Sequence, residues 1–105
     1  MQFTAPTTFV DVQAAIAGHD RVLLYAHASW CGYCKAYRPA LEGLAPVPPV
    51  TALAVDVGDA RDIQEGLKIT SIPVLLAFRG GREVSRMLGS RSAKEAANWI
   101  ARHLS

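Results

Sequence analysis

Three short, mostly apolar runs, separated by segments of helical periodicity, constrain the fold of this chain most strongly. The runs are residues 22–28, 50–57 and 74–78, and each has the length and composition of a strand buried in a sheet. Strand–helix–strand units place their strands in parallel and join them by right-handed crossovers. The order of elements therefore predicts an α/β domain.

Capping residues and helix breakers predict four helices, at residues 8–18, 32–45, 59–66 and 92–104. Thr8 and Ser92 stand at N-cap positions, and Pro39 is expected to kink the second helix. A Gly-Gly turn at residues 79–82 predicts a hairpin with the last strand, and Phe3 suggests a short first edge strand. The predicted architecture is a mixed sheet of four to five strands, flanked by helices on both faces, with a C-terminal hairpin and helix.

The composition is that of one globular domain spanning residues 1–105. Half of the residues are hydrophobic, which argues against intrinsic disorder, and no apolar run approaches the ~18–20 residues of a membrane span. No secretory signal is visible at the N-terminus, so a cytoplasmic location is expected. The net charge is only +2 and no run of like charges occurs, so we expect no nucleic-acid and no membrane partner.

The two cysteines of the chain lie in the sequence Cys31-Gly32-Tyr33-Cys34, where a predicted strand turns into a helix. A helix N-terminus stabilises a thiolate at the first cysteine, and the second lies within disulfide reach. Because a bridge this short removes little chain entropy, the pair is not a structural staple. The spacing indicates thiol-disulfide chemistry, whereas four-coordinate zinc would need two further ligands, of which His27 could supply one.

Three motifs in this order resemble the thioredoxin family, and together they cover about residues 7–104. Trp30-Cys31-Gly32-Tyr33-Cys34-Lys35, followed by Pro39, resembles the active-site helix of that family. Ser71-Ile72-Pro73-Val74-Leu75 and the residues that follow it resemble the cis-proline strand and its hairpin. Leu88-Gly89-Ser90 resembles the glycine turn before the last helix. The expected fold is therefore the thioredoxin fold.

The resemblance implies a role for each matching position. Cys31 would be the exposed nucleophile and Cys34 the buried resolving thiol, and the two would form a redox-active disulfide. Ile72 and Pro73 would be joined by a cis peptide bond. The substrate would contact a surface around Cys31 that is formed by Trp30, Gly32, Tyr33, Ile72, Pro73 and Gly89.

The resemblance also implies how such a protein is supplied with electrons. We expect a monomeric protein-disulfide reductase that binds no cofactor or metal and is regenerated by a thioredoxin reductase-like enzyme using NADPH. Oxidase or isomerase activity would use the same thiols at a different potential. A third possibility is a binding module whose fold, and not whose thiols, provides the function.

Four positions depart from the family pattern, and a fifth, Lys35, is a candidate modulator. Tyr33 stands where thioredoxins usually have Pro, and Tyr25 and Ala52 are assigned to the positions of a buried Asp and its Lys. Tyr25 is predicted to pack in the core. His27, in the place of a family Trp, is a candidate modulator of the thiols that could also be a plain strand-end residue. Lys35 is a second candidate modulator or a solvated helix residue.

Overall fold

Five strands form one mixed sheet in the computed structural model, which describes all of residues 1–105. In chain order they are β1 (Phe3–Thr4), β2 (Arg21–His27), β3 (Thr51–Asp56), β4 (Val74–Arg79) and β5 (Arg82–Leu88). The order across the sheet is β1-β3-β2-β4-β5, in which β1, β3 and β2 are parallel and β4 and β5 are antiparallel to their neighbours. The predicted mixed sheet and hairpin are confirmed, and β1 brings the strand count to five.

Four helices complete the fold: α1 (Phe9–Ala17), α2 (Gly32–Glu42), α3 (Arg61–Gly66) and α4 (Ala93–Leu104). The Thr8 hydroxyl accepts a hydrogen bond from the Asp11 N–H, and Ser92 forms the predicted capping box with Glu95. The predicted end of α2 at residue 45 is wrong, because the helix ends at Glu42. Pro46 disfavours the helical conformation at the residue before it, and Gly43 is a weak helix former.

Side chains alternate between the two faces of the sheet and so divide the core in two. Leu24 on β2 packs with α1 and α3, whereas its neighbour Tyr25 packs with α2 and α4. The α1/α3 cluster consists of Val12, Ile16, Val22, Leu24, Ala26, Leu53, Val55, Val57, Ala60, Ile63, Leu67, Ile69, Val74, Leu76 and Phe78. The α2/α4 cluster consists of Leu23, Tyr25, Ala28, Cys31, Cys34, Tyr37, Leu41, Ala54, Leu75, Ala77, Ala96, Trp99, Ile100 and Leu104.

The hairpin between β4 and β5 turns at Gly80 and Gly81, whose φ angles are +57° and +84°. A two-residue turn with both central residues in this region matches the right-handed twist of the strands, and glycine adopts it without steric cost. The predicted hairpin turn is confirmed at these two residues.

Three chain segments meet at one edge of the sheet. The parallel strands β2 and β3 end there, since His27 pairs with Asp56, and the antiparallel β4 begins there, since Ala26 pairs with Val74. The segments that continue from these strand ends are residues 28–31, residues 57–60 and the stretch that leads into β4. None of the four helices combines the length and the hydrophobicity that a membrane-spanning helix requires.

Candidate active site

The two cysteines lie at this edge of the sheet and form a disulfide, with their Cα atoms 5.3 Å apart. Cys31 is the N-cap of α2 and has extended backbone angles, whereas Cys34 belongs to the first turn of the helix. Burial of Cys34 follows from its position on the inner stripe of α2, which also includes Tyr37 and Leu41. The sequence spacing thus places two sulfur atoms within bonding distance on one face of a helix.

The N-terminus of α2 surrounds Cys31 with positive potential. The N–H of Cys34 donates a hydrogen bond of 3.1 Å to Cys31 Sγ, and the first turn contains no acidic residue. The unpaired N–H groups of a helix N-terminus favour negative charge. In the reduced protein this environment stabilises the Cys31 thiolate, which is the nucleophilic form of cysteine.

The two cysteines are buried, whereas the residues beside and between them are exposed to solvent. Cys34 is 2% exposed and Cys31 is 7% exposed, so the expectation of an exposed Cys31 is wrong for the disulfide form. The physical reason is that Sγ of Cys31 is bonded to a buried sulfur and packs in the α2/α4 cluster. The two flanking aromatic residues, Trp30 and Tyr33, are 74% and 77% exposed, and Gly32 between the cysteines is also exposed.

The segment before β4 lies against the same site. The Ile72–Pro73 peptide bond is cis, as the resemblance implied, and the Gly89 N–H donates to the Pro73 carbonyl at 2.9 Å. Ile72 packs against both core clusters, including the one that contains the cysteines. Its backbone N–H and C=O form no hydrogen bond with other backbone groups of the protein.

Trp30 forms one wall of a cleft of about 560 Å³ that Ile72 also lines. The indole rests against Gly58, where a Cβ atom would lie only 3.0 Å from Trp30 Nε1. The loop that carries Gly58 is held by Asp56, whose Oδ1 accepts the Gly58 N–H at 2.9 Å. Gly58 therefore leaves room for the indole where a Cβ atom would crowd it by a few tenths of an ångström, and the Asp56 carboxylate fixes the loop against which Trp30 packs.

Tyr25 forms a contact with Cys34 that sequence reasoning missed. Its hydroxyl donates a hydrogen bond of 2.6 Å to the Cys34 carbonyl, and its ring is buried as predicted. Burial raises the pKa of Tyr25 to about 12, with a smaller opposing effect of Arg38. The hydroxyl thus stays protonated near neutral pH and acts as a hydrogen-bond donor. The O–H group of a buried tyrosine usually has such a partner.

The sheet places Tyr25 and Ala52 on adjacent strands, two residues out of register. Tyr25 pairs with Ala54, and Ala52 pairs with Leu23. Residues two apart on a strand share a face, so Ala52 and Ala54 both lie on the face of β3 that Tyr25 shares on β2. The protein has no buried charged residue.

His27 and Lys35 occupy different environments. The ring of His27 stacks on that of Tyr25, with centroids 5.2 Å apart. Burial lowers the pKa of His27, an effect that Asp56 partly opposes and Arg38 adds to, so the ring is neutral near pH 7. Lys35 is exposed and forms no ion pair; its backbone N–H donates to the Cys31 carbonyl. That either side chain modulates the thiols stays a prediction.

The site does not contain the donor set of a metal centre. No group of three or more His, Cys, Asp or Glu residues is arranged to hold a metal ion, and both thiols are bonded to each other. What the arrangement can perform is the exchange of a disulfide for two thiols.

Comparison with known families identifies this arrangement. The family model for thioredoxin matches residues 3–102. The chain belongs to the thioredoxin family. As members of that family are protein-disulfide oxidoreductases and the cysteine pair is present, the protein is a thiol-disulfide oxidoreductase whose active site is the Cys31–Cys34 pair.

Individual thioredoxins resemble the chain over most of its length. The thioredoxin of Chlamydia muridarum is 37% identical over 104 residues, which cover 98% of both chains. That of Chlamydia trachomatis is 39% identical over 83 residues, or 78% of this chain and 81% of the relative. The X-ray structure of Fasciola hepatica thioredoxin superposes with a TM-score of 0.87 at 26% identity and covers 96% of this chain and 99% of that one.

Sequence reasoning also missed the far wall of the cleft beside Trp30. Besides Trp30 and Ile72, the cleft is lined by Val57, Gly58, Arg61, Gln64, Ile69, Thr70 and Ser71. The signal available in the sequence was Asp56 followed two residues later by Gly58, a pairing typical of a turn closed by an Asp side chain. That signal indicates a turn but not what packs upon it.

Proposed function

We propose that this thioredoxin-family protein reduces protein disulfides, with Cys31 as the attacking thiolate and Cys34 as the resolving thiol. The single observation that carries the proposal is the hydrogen bond from the Cys34 N–H to Cys31 Sγ at the N-terminus of α2. This donor favours the ionised form of Cys31 over that of the more deeply buried Cys34. The family implies disulfide-containing protein substrates and a reductase partner.

The reaction consists of two exchanges at sulfur. The Cys31 thiolate attacks one sulfur of the substrate disulfide, that bond breaks, and the departing substrate thiolate takes a proton from solvent. Cys34 gives its proton to solvent and attacks Cys31 Sγ as a thiolate, which releases the second substrate thiolate and forms the disulfide seen in the structure. Two electrons pass from the protein to the substrate, and the reductase partner restores them.

The surface around Cys31 supports docking of a substrate chain. Trp30 and Tyr33 present exposed rings on either side of the cysteine, and the exposed Gly32 leaves room between them. Ile72 offers an unpaired N–H and C=O, with which an extended substrate segment can form backbone hydrogen bonds. Pro73 holds Ile72 in a cis peptide, and Gly89 donates to the Pro73 carbonyl, so both shape this surface from behind.

The remaining parts of the proposal concern the cellular setting. We assign a cytoplasmic location, a monomeric state, and NADPH as the ultimate electron donor through the reductase. These assignments rest on the resemblance to thioredoxins.

Two cysteine variants and a redox titration test the proposal. Cys31→Ser should abolish reduction of a disulfide-bonded protein such as insulin, whereas Cys34→Ser should accumulate a mixed disulfide through Cys31 that mass spectrometry detects. Equilibration against glutathione buffers should give a potential below about −260 mV, the lower end of biochemical values for the cytosolic pool. A potential near −180 mV would support oxidase or isomerase activity, and full function of Cys31→Ser would indicate a binding module.

A further inference from the structure

We propose that Arg61 selects disulfide substrates that carry an acidic side chain close to the reacting cysteine. The inference rests on the proposed docking of the substrate along Trp30 and Ile72, and it concerns what lies beyond those two residues. It assigns Arg61 as a residue that determines specificity, with no part in the exchange of sulfurs.

The cleft beside the active site extends from the docking surface to helix α3. Trp30 and Ile72 line it on the side of the disulfide, and Arg61 and Gln64 line it from α3. An extended substrate segment that is bound at Ile72 and passes Trp30 therefore enters the cleft. Its next side chains meet Arg61.

Arg61 gives the cleft its charge. Among the nine lining residues it is the one with a charged side chain, and it is exposed. It belongs to none of the salt bridges of the protein, which join Asp20, Glu42, Glu83 and Glu95 to other arginines. The cleft thus presents one unpaired positive charge to whatever enters it.

No acidic residue near Arg61 in the sequence forms an ion pair with it, including Glu65, which lies four residues further along α3. The Asp62 carboxylate accepts the N–H of Phe9, and Asp56 accepts that of Gly58. Asp59 lines a different cleft, together with His27. A carboxylate of a bound substrate can therefore pair with Arg61, and it matches the planar guanidinium with two parallel hydrogen bonds.

Polar neighbours define the chemical class further. Gln64, Thr70 and Ser71 line the same cleft as Arg61, and their side chains can donate hydrogen bonds to carboxylate oxygens. The apolar lining consists of Trp30, Val57, Ile69 and Ile72, of which Trp30 adjoins Cys31 in the chain. The predicted substrate segment is consequently mixed, with an apolar side chain beside the cysteine and Asp or Glu further along.

The test uses synthetic peptides with one internal disulfide, in which a single Glu is moved through the positions flanking each cysteine. Each peptide is paired with its Gln counterpart and is reduced in single turnovers by the pre-reduced protein. At one or more positions the Glu peptide should react about fivefold faster, the ratio expected for two unit charges about 4 Å apart in water. The advantage should shrink when salt is raised from 0.1 to 1 M, because screening shortens the range of the charge.

Variants at Arg61 decide whether that residue is the cause. Arg61→Ala should bring the ratio to 1, and Arg61→Glu should reverse it and favour a Lys peptide at the same position. The matched controls Arg82→Ala and Arg82→Glu make the same charge changes at the hairpin turn, on the opposite edge of the sheet, and should leave the ratio unchanged. Equal ratios in wild type and Arg61→Ala, or equal effects of Arg61 and Arg82, would overturn the inference.

The Gln peptides separate this inference from the proposed function. Their reduction by wild type and by Arg61→Ala at the same rate shows that docking and sulfur exchange are intact. A protein that reduces the Gln peptides but shows no preference at any Glu position contradicts the role of Arg61 alone. A protein that reduces none of the peptides contradicts the proposed function itself.

Discussion

The two core clusters lie on opposite faces of one sheet and differ in the chemistry of their side chains. The α1/α3 cluster contains hydrocarbon side chains alone, and no hydrogen bond from a side chain occurs within it. The α2/α4 cluster contains both cysteines, two buried tyrosines and Trp99, and the Tyr25 hydroxyl bonds to Cys34 within it. The same strands supply both clusters, because successive side chains of a strand point to opposite faces.

This difference shows how the fold separates stability from reactivity. Neighbouring residues such as Leu24 and Tyr25 are equally buried, yet only the second touches the helix that carries the cysteines. Changes in the α1/α3 cluster should therefore alter the free energy of unfolding and leave the redox centre as it is. Changes in the α2/α4 cluster should also alter the structure or the stability of the first turn of α2, which carries Cys34.

The largest effect is expected for Leu24→Ala in the α1/α3 cluster. Leu24 is fully buried, and truncation of a buried leucine costs about 2–5 kcal/mol through lost transfer free energy and the cavity left behind. Urea denaturation should show this loss, whereas the reduction potential, measured against glutathione, should equal that of the wild type. A clear change in potential would show that the two clusters are coupled.

Tyr25→Phe should lower the free energy of unfolding less than Leu24→Ala does, but it should also affect the active site. It removes one hydrogen bond and leaves the Cys34 carbonyl without this donor. The free energy of unfolding should therefore fall by about 1 kcal/mol. Amide hydrogen exchange should also accelerate in the first turn of α2, where Lys35 N–H bonds to the Cys31 carbonyl. Unchanged exchange in that turn would mean that Tyr25 only fills space.

Tyr37→Phe is the matched control for Tyr25→Phe. Both tyrosines are 1% exposed and their rings meet edge to face, but the Tyr37 hydroxyl makes no hydrogen bond within the protein. Removing a buried hydroxyl that lacks a partner relieves a desolvation cost, so stability should stay equal or rise by up to about 1 kcal/mol. If Tyr37→Phe lost as much stability as Tyr25→Phe, the difference in hydrogen bonding between the two hydroxyls would be contradicted.

The smallest effect concerns pH. Burial lowers the pKa of His27 in the folded state below its ordinary value of 6.5, so the unfolded chain binds the proton more readily. The stability that this residue contributes is therefore present above pH 6.5 and is lost as the pH falls below it. His27→Phe keeps a ring against Tyr25 and should lose less stability than wild type between pH 7.5 and 5.5, measured by urea denaturation.

Leu24→Ala retains His27 and should keep the pH dependence of the wild type. If instead His27→Phe loses as much stability as the wild type and Leu24→Ala over this pH range, the titrating group is not His27.

Local patterns were sufficient for much of the fold. The capping residues Thr8 and Ser92, the Gly80-Gly81 turn and the alternation along β2 act over a few residues, so they can be read without knowledge of the rest of the chain. The cysteine spacing is local in the same way, since a helix places residues three apart on one face. The resemblance to thioredoxins added the cis peptide at Pro73.

Long-range packing decided the remainder. The bond from Tyr25 to Cys34, the contact of Trp30 with Gly58 and the position of Arg61 across the cleft each join different elements of the fold. The pairing of Tyr25 with Ala54 depends on strand register, which a shift of two residues changes without altering the pattern of apolar side chains. Periodicity reveals which face a residue occupies, but contacts across that face exist only once the strands and helices have packed.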